Sequence, residues 1–457
     1  MQGKKIEGLL IKTFLLLLLL SLNVPLLAGW DTAIIAYNNG DYKTAFTALK
    51  LLAQNGDARS QFNLGSMYKE GKATNPNYKE AIYWYKKSAE NGVAIAQYNL
   101  GLMYDNGQGT VQNFTKAIYW YKLSALQGNS NAQYNLALMH KEAKGTIQNY
   151  KTAFNWLMKA STQNNVYVQY DLGWMYQYGK GTLKDDEMAV HWYTKAAKQG
   201  DSWAQNSLGS MYQKGNGTIQ DYKAAVRWYA KAAEQGDSWA QNNLGFMHQM
   251  GNGTIQDHKK ALHWYNKAAE QGNVEAQNSL SLMYFNAEGT IQDYKLAIKW
   301  SAKATEQGNA RAQVHLKAVF DYAVKTIKQD KDKAQKMELE LLAEGGYEKA
   351  QLSLGEFYSK GEYYDQDYKR AVYWLIQAVE KENAEAGYIL GMLYSEGLGW
   401  QDYSRAHFWF NIAASLGHKK SVAQGQNLIE VLTESELEQT QLLVIKCIAN
   451  KYKACKI

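Results

Sequence analysis

The chain is 457 residues long and 46% hydrophobic, with 14 Trp, 34 Tyr, two Pro and two Cys. Fifty basic side chains against 43 acidic ones give a net charge of +7, too small over so large a surface to argue for nucleic acid or an anionic membrane as partner. The apolar content would serve several cores, but a repeat protein spreads one core along its length, so dividing by a typical domain size misleads.

Residues 1–28 read as a cleavable secretory signal. Lys4, Lys5 and Lys12 precede Phe14 to Leu20, and the apolar stretch closes on Leu26-Leu27-Ala28, with the small Ala28 before the cut. An uncleaved membrane anchor is the alternative, and the lack of a cysteine near the cut argues against a lipid anchor. Removing three Lys and one Glu leaves a charge of +5. No stable membrane insertion is expected after cleavage. Residues 29–56 follow as an N-terminal capping hairpin, in which Tyr37, Tyr42, Ala45 and Leu49 cover the apolar side of the next segment.

From residue 57 to 308 the chain repeats itself seven times. Trp84, Trp120, Trp156, Trp192, Trp228, Trp264 and Trp300 are each 36 residues apart, and Leu64 to Leu280 keep the same step. Residues 199–234 and 235–270 share 27 of 36 positions. A fixed period in this range marks a solenoid, whose units bury their apolar faces only against neighbours.

Each repeat reads as two helices. In its first half Ala96, Leu100, Met103 and Tyr104 form one stripe, and a glycine loop such as Gly215-Asn216-Gly217 ends it. The second half opens on an N-cap, Asn77, Asn113, Asn149, Asp185, Asp221, Asp257 or Asp293, and carries Ala117, Trp120, Tyr121 and Ser124 or Ala125 inward. It stops at Gly92, Gly128, Gly200, Gly236, Gly272 or Gly308, residues suited to a left-handed C-terminal position. Asp201, Asp237, Asn273 and Asn309 cap the next first helix. The third repeat is weakened by Ala137, Ala143 and Asn164 at glycine positions, though Asn tolerates the left-handed turn.

Residues 309–345 form a degenerate repeat. Leu316 to Leu354 is 38 residues, Lys336 stands at the Trp position, and the charged run Lys325 to Lys336 replaces the glycine loop. An irregular helical pair is expected there, with the run as a charged loop or a hinge. Two further repeats at 346–417 restore Leu354, Gly355, Tyr358, Trp374, Leu390, Gly391, Tyr394 and Trp409. In residues 418–457, a C-terminal capping helix and tail, Thr433-Glu434-Ser435-Glu436 starts a helix with Leu437, Leu442, Leu443 and Ile445 available for burial.

The small residues in phase (Ala96, Gly101, Ala117, Ala125), the LGxMY core, the GxGT loop, the A-x-x-W step and the closing AAxxG resemble the Sel-one-like repeat, a relative of the tetratricopeptide repeat. The resemblance covers about four fifths of the chain. It implies an all-α, right-handed α-solenoid of paired antiparallel helices in 36-residue repeats. It also implies a non-catalytic adaptor or scaffold for protein complexes, and many bacterial members are exported. A periplasmic or secreted bacterial protein is therefore expected; the alternative is a eukaryotic endoplasmic reticulum lumen, where the sequons at Asn113, Asn216 and Asn252 could carry glycans.

No catalytic, cofactor-binding or metal-binding residue is predicted. Cys447 and Cys455 are eight apart, about 12 Å along a straight helix, so only a turn between them would let them bond. His258 and His263 are five apart, an awkward spacing for a shared metal. His191 and His263 fall where other repeats place Tyr or Arg, which suits a structural or solvated role. Cysteine-rich relatives linked to β-lactam hydrolysis differ from this chain, which lacks a cysteine pair per repeat. The GNGT loop lacks the Lys-Ser/Thr of a phosphate loop.

The remaining signal is a surface. With Leu100 inward, Ile95, Tyr98, Leu102 and Asp105 point away from it. The same phases hold Phe62, Tyr134, Leu138, Tyr167, Tyr170, Trp174, Trp203, Trp239 and Phe246, among Asn206, Ser210, Gln213, Asn242 and Gln249. First helices line the concave side in solenoids of this kind, so an aromatic, amide-rich groove for a protein or peptide is expected, strongest from Tyr98 to Phe246. Neighbouring helices burying part of this stripe is the bland alternative. An envelope glycan such as peptidoglycan, stacked on the same aromatics, is the other ligand class.

Overall fold

A computed structural model describes residues 29–330, 333–397, 401–453 and 455. The expected signal segment, 1–28, lies outside the described residues. Among those described there are 24 α-helices, one short 3-10 turn and no strand. The fold is an α-solenoid of helical hairpins. The chain divides into two compact units, residues 1–221 and 222–457.

In the first unit, helix α1 (Trp30–Asn38) and α2 (Tyr42–Gln54) form the opening hairpin, with Ala45 and Leu49 packed in one cluster with Met67. First helices then alternate with second helices: α3 (Ala58–Glu70), α4 (Tyr78–Glu90), α5 (Ala94–Asn106), α6 (Phe114–Leu126), α7 (Ser130–Glu142), α8 (Tyr150–Ala160), α9 (Val166–Tyr178), α10 (Asp186–Lys198) and α11 (Ser202–Lys214). Their ends have chemical causes. Asn77, Asn113, Asn149 and Asp185 accept backbone N–H groups in the first turn of each second helix. Gly71, Gly107 and Gly215 end first helices in the left-handed region.

Two interactions lock neighbouring helices. The first is a column of buried glutamines. Gln97 donates Nε2 to the carbonyl of Ala89 at the end of the preceding hairpin (3.0 Å) and accepts from Gln127 of its own second helix (2.8 Å). Gln61 repeats this between Ala53 and Asn91. One side chain thus spans three helices.

The second interaction is a close fit of small on large. Gly65, Gly101 and Gly173 lie flat against the rings of Tyr85, Tyr121 and Tyr193, where a Cβ would press into the aromatic carbons. The third repeat has Ala137 instead and, one period after Tyr121, Leu157 in place of the ring, both fully buried. The added methyl is matched by a smaller partner, so the weakened repeat keeps its packing. Its turn also survives: Ala143 and Asn164 take φ of 60° and 54°.

The second unit contains α12 (Tyr222–Glu234), α13 (Ser238–Met250), α14 (His258–Glu270), α15 (Val274–Asn286) and α16 (Tyr294–Glu306) on the same plan. Helix α17 (Ala310–Asp330) then runs for 21 residues instead of 13, because no glycine stops it. The expected charged loop is thus corrected: the run from Lys325 is helical to Asp330 and again from Lys333 in α18 (Lys333–Glu344). Helices α19 (Glu348–Lys360), α20 (Tyr368–Val379), α21 (Ala384–Ser395) and α22 (Tyr403–Ser415) resume the pattern, and α23 (Lys419–Leu428) and α24 (Glu434–Ala449) close it.

Thr433 and Glu436 cap α24 reciprocally. Its inner face is Thr440, Leu443, Val444 and Cys447, not the expected Leu442 and Ile445, which are exposed. Thr440 and Cys447 set this phase, with Thr440 Oγ1 3.1 Å from the buried His407 ring. Lys451 and Tyr452 take positive φ. That turn brings Cys455 back to Cys447 in a buried disulfide, with Cα atoms 5.1 Å apart.

The glycine–tyrosine fit yields a sign reversal. Gly101→Ala should destabilise the protein by about 1–2 kcal/mol, as overpacking outweighs the helix-propensity gain. In a Tyr121→Leu background the same change should stabilise by about 0.5 kcal/mol. Urea unfolding of the four-member cycle reads the coupling; equal effects in both backgrounds would contradict the fit.

Candidate functional site

The stripe expected as a groove is divided between the units, and its residues differ in how free they are. In the first unit it lies on α5, α7, α9 and α11. Tyr98 and Tyr170 are half-buried, with ring centroids 6.0 and 5.8 Å from Tyr121 and Tyr193 of their own second helices. Leu102 packs with Tyr98 against the cluster around Tyr121. Tyr134 stacks on Tyr167 at 6.4 Å, and Tyr170 meets Trp203 at 5.8 Å. Trp174 sits between Tyr150 (6.3 Å) and Tyr178 (5.5 Å). Leu138 and Asn206 are half-buried.

Two large aromatics of this set remain open. Trp203 is 63% exposed and Tyr167 60%. Both occupy the second position of their helices, a phase that points away from the second helix, while the next two residues of each first turn are buried. Neighbours therefore fill part of the stripe and leave its helix-start edge in solvent.

A charged pair that sequence reasoning missed lies within the aromatic patch. Lys141 Nζ is 2.6 Å from Asp171 Oδ1 and 5.1 Å from the Trp174 ring centroid. Asp171 is 4% exposed. Burial, then the Asp171 carboxylate, pushes the Tyr134 hydroxyl well above the usual phenol range and Tyr170 up to about 12. Burial also raises Tyr98. These hydroxyls stay protonated at neutral pH, and each has a side-chain hydrogen-bond partner of its own: Asp171 for Tyr134, Ser207 for Tyr170 and Asn135 for Tyr98. The available signal was positional: Asp171 stands before Leu172 where neighbouring repeats place Asn99, Asn135 and Ser207.

In the second unit Trp239, again at the second position of its helix, is 58% exposed. Phe246 packs at the edge of the cluster around Tyr265. Asn242 is half-buried and its Oδ1 has no hydrogen-bond partner. Gln249, expected among the groove amides, is committed instead: it accepts from Tyr265 Oη and donates to Glu288, both at 2.9 Å. Asp105 in the first unit is likewise held by Tyr121 Oη at 3.1 Å.

A polar cleft of about 560 Å³ opens farther along the second unit, lined by Lys336, Glu340, Tyr358, Tyr364 and Arg370 among others. Within it Arg370 donates to Tyr358 Oη and Tyr358 donates to Glu340, each at 3.1 Å, while Lys336 lies over the Tyr364 ring. His191 and His263 stand edge-on to Trp192 and Trp264. Among the described residues no three His, Cys, Asp or Glu side chains converge as a metal-binding group, and no helix is long and apolar enough to cross a membrane.

Hairpins of fixed length, locked by in-phase glycine–aromatic and glutamine contacts, define a helical repeat protein. The Sel1 repeat model matches at residues 58–93, 94–129, 130–165, 166–201, 204–237, 240–273, 274–309, 348–383 and 384–418, and the chain belongs to the Sel1 repeat family. It is similar to c5321, a protective antigen of uropathogenic Escherichia coli strains displaying an SLR fold: 31% identity over 90% of this chain and 96% of that one, TM-score 0.51. A Sel1 repeat protein from Oxalobacter formigenes is 32% identical over 53% of this chain and 96% of its own, TM-score 0.48. No curated protein matches the sequence. Sel1 repeat proteins generally serve as protein-interaction scaffolds, and their fold is typically non-enzymatic.

The Lys141–Asp171 pair supports the stripe from within. Lys141→Met should cost about 3 kcal/mol, since it leaves the Asp171 carboxylate buried without its cation. Thermal melts at neutral pH check this, and a loss below about 0.5 kcal/mol would show that the pair holds nothing.

Proposed function

We propose that this protein is an exported, non-catalytic scaffold that holds a protein or peptide partner along its first-helix face. The observation that carries the reading is the exposure of Trp203 and Trp239, each at the same repeat phase of its own unit, beside half-buried tyrosines and amides. Exposed aromatics rimmed by polar groups are the composition of binding hot spots. Folding alone gives no reason to leave an indole more than half in water. In the solenoid geometry that the family resemblance implies, this face is the concave wall.

Export is part of the proposal. The Lys-containing start and apolar run of residues 1–28 support it, and so does the Cys447–Cys455 disulfide, a bond that persists in oxidising compartments. A periplasmic or secreted location follows from that reading.

The test is affinity capture from the protein's own compartment, with the partner identified by mass spectrometry and its affinity then measured. Trp203→Ala and Trp239→Ala should each weaken that affinity by about 30-fold, the effect of losing a hot spot worth about 2 kcal/mol, with helicity unchanged. Unchanged affinity in both folded variants removes the first-helix face from the account. Retention on purified peptidoglycan without any protein partner would instead favour the glycan reading, in which the same indoles stack on sugar rings.

A further inference from the structure

The polar cleft of the second unit exists because one loop is held away from its neighbour. In that unit Gly253 and Gly289, each the third residue after a first helix, lie against the first turn of the preceding second helix, at Tyr222 and His258. A Cβ on either would press into that backbone. Tyr363 stands at the same place after α19, with φ of 66°, so the close approach is blocked. The loop reaches α18 through the next residue instead, as the Tyr364 hydroxyl donates to the Lys336 carbonyl at 3.1 Å. A spacer one tyrosine long thus replaces a glycine contact, and a space of about 560 Å³ opens beside it.

The spacer is held firmly. The Tyr364 ring lies 4.7 Å from Tyr358 and stacks on Phe357 at 6.3 Å, and Phe357 also meets Tyr363 edge-on at 4.9 Å. Gln366, two residues on, donates Nε2 to the Ser359 carbonyl at 2.9 Å and ties the loop to the end of α19. The cleft is therefore a shaped feature of this irregular repeat.

Five of the residues that line it are charged: Lys336, Glu340, Asp365, Asp367 and Arg370. Three of these answer one another. Arg370 Nε stands 3.6 Å from Asp367 Oδ2, and Asp367 Oδ1 accepts the Arg370 backbone N–H as the cap of α20. The same guanidinium donates to Tyr358, which donates on to Glu340. Lys336 and Asp365 are left over, and among the described residues neither has an ion pair. The Tyr364 ring, 5.1 Å below the Lys336 ammonium, places that charge without cancelling it.

One uncommitted charge of each sign in a single cleft decides the class of ligand. A simple anion meets Lys336 but is opposed by Asp365 and Glu340, and a simple amine meets the acids but is opposed by Lys336. A zwitterion complements both. The volume falls within the range of small-molecule sites, about 300–1,000 Å³, and the Tyr358 and Tyr364 rings supply an aromatic wall. We propose that this cleft binds a free amino acid or short peptide, its carboxylate on Lys336 and its ammonium on Asp365. No residue of the first-helix stripe lines the cleft, so the site stands or falls apart from the scaffold reading.

Isothermal titration calorimetry of the full chain with alanyl-alanine at neutral pH tests this. The expected result is one saturable site with a dissociation constant of about 0.1–1 mM, the affinity open to so small a ligand. N-acetyl-alanyl-alanine, which lacks the ammonium, and the methyl ester of alanyl-alanine, which lacks the carboxylate, should each bind roughly tenfold more weakly or worse. Lys336→Met keeps the aliphatic stem on the ring and removes the charge. Asp365→Asn installs the residue that Asn75 already places at this loop position. Each should weaken binding by roughly tenfold or more, with circular dichroism unchanged. No saturation up to about 20 mM alanyl-alanine, equal binding of either blocked form, or indifference to either substitution overturns the proposal.

Discussion

The buried glutamine column is the constraint on which the rest depends. An amide taken out of water must find partners for both its ends. Gln97 finds them in the last turn of one hairpin and the last turn of the next. Neither helix can rotate or slide without orphaning a buried polar group, so the bond fixes register in a way that apolar contacts alone do not. In the repeat that follows the irregular stretch the bond is only half made. Gln351 still donates to Ala343 at 3.0 Å, but its Oε1 has no partner, because Lys381 stands where other repeats supply an amide.

With rotation fixed, the exposed phases of each first helix follow. Tyrosines midway along a first helix fall within reach of the second helix and are half covered. The second residue of each first turn points away from that helix while the two after it are buried, and so Tyr167, Trp203 and Trp239 stand in water. The Lys141–Asp171 pair adds a fixed charge pattern to the half-covered part. Scaffolding and stability therefore use different faces of one helix. A repeat can change its outward residues without disturbing the glycine–tyrosine fit behind them.

Much of this could be read from residues alone, because a repeat states the same local chemistry many times. Asn and Asp caps, left-handed glycines and the in-phase small residues each identify a local backbone state, and the first-helix stripe follows from 100° per residue. What escaped needed partners distant in sequence. Gln97 was visible as a repeated letter, but its role depends on two carbonyl and amide groups placed by other helices. Ala137 looked like a defect until paired with Leu157, one period on from Tyr121. The phase of α24 was set by His407 and Cys447, not by its most apolar residues. The charged run after Lys325 read as a loop for want of glycine, and for that same reason it is helical.

The central claim is that each hairpin is held in register by its neighbours through the buried amides. Hydrogen exchange of Gln97→Met, compared with the unaltered protein, tests it most directly. The side-chain volume is kept and the amide bonds are lost. The account predicts protection falling by about tenfold or more in α4, α5 and α6, from roughly 1.5 kcal/mol of lost local stability, with α24 unchanged. Equal protection in all three helices would contradict it.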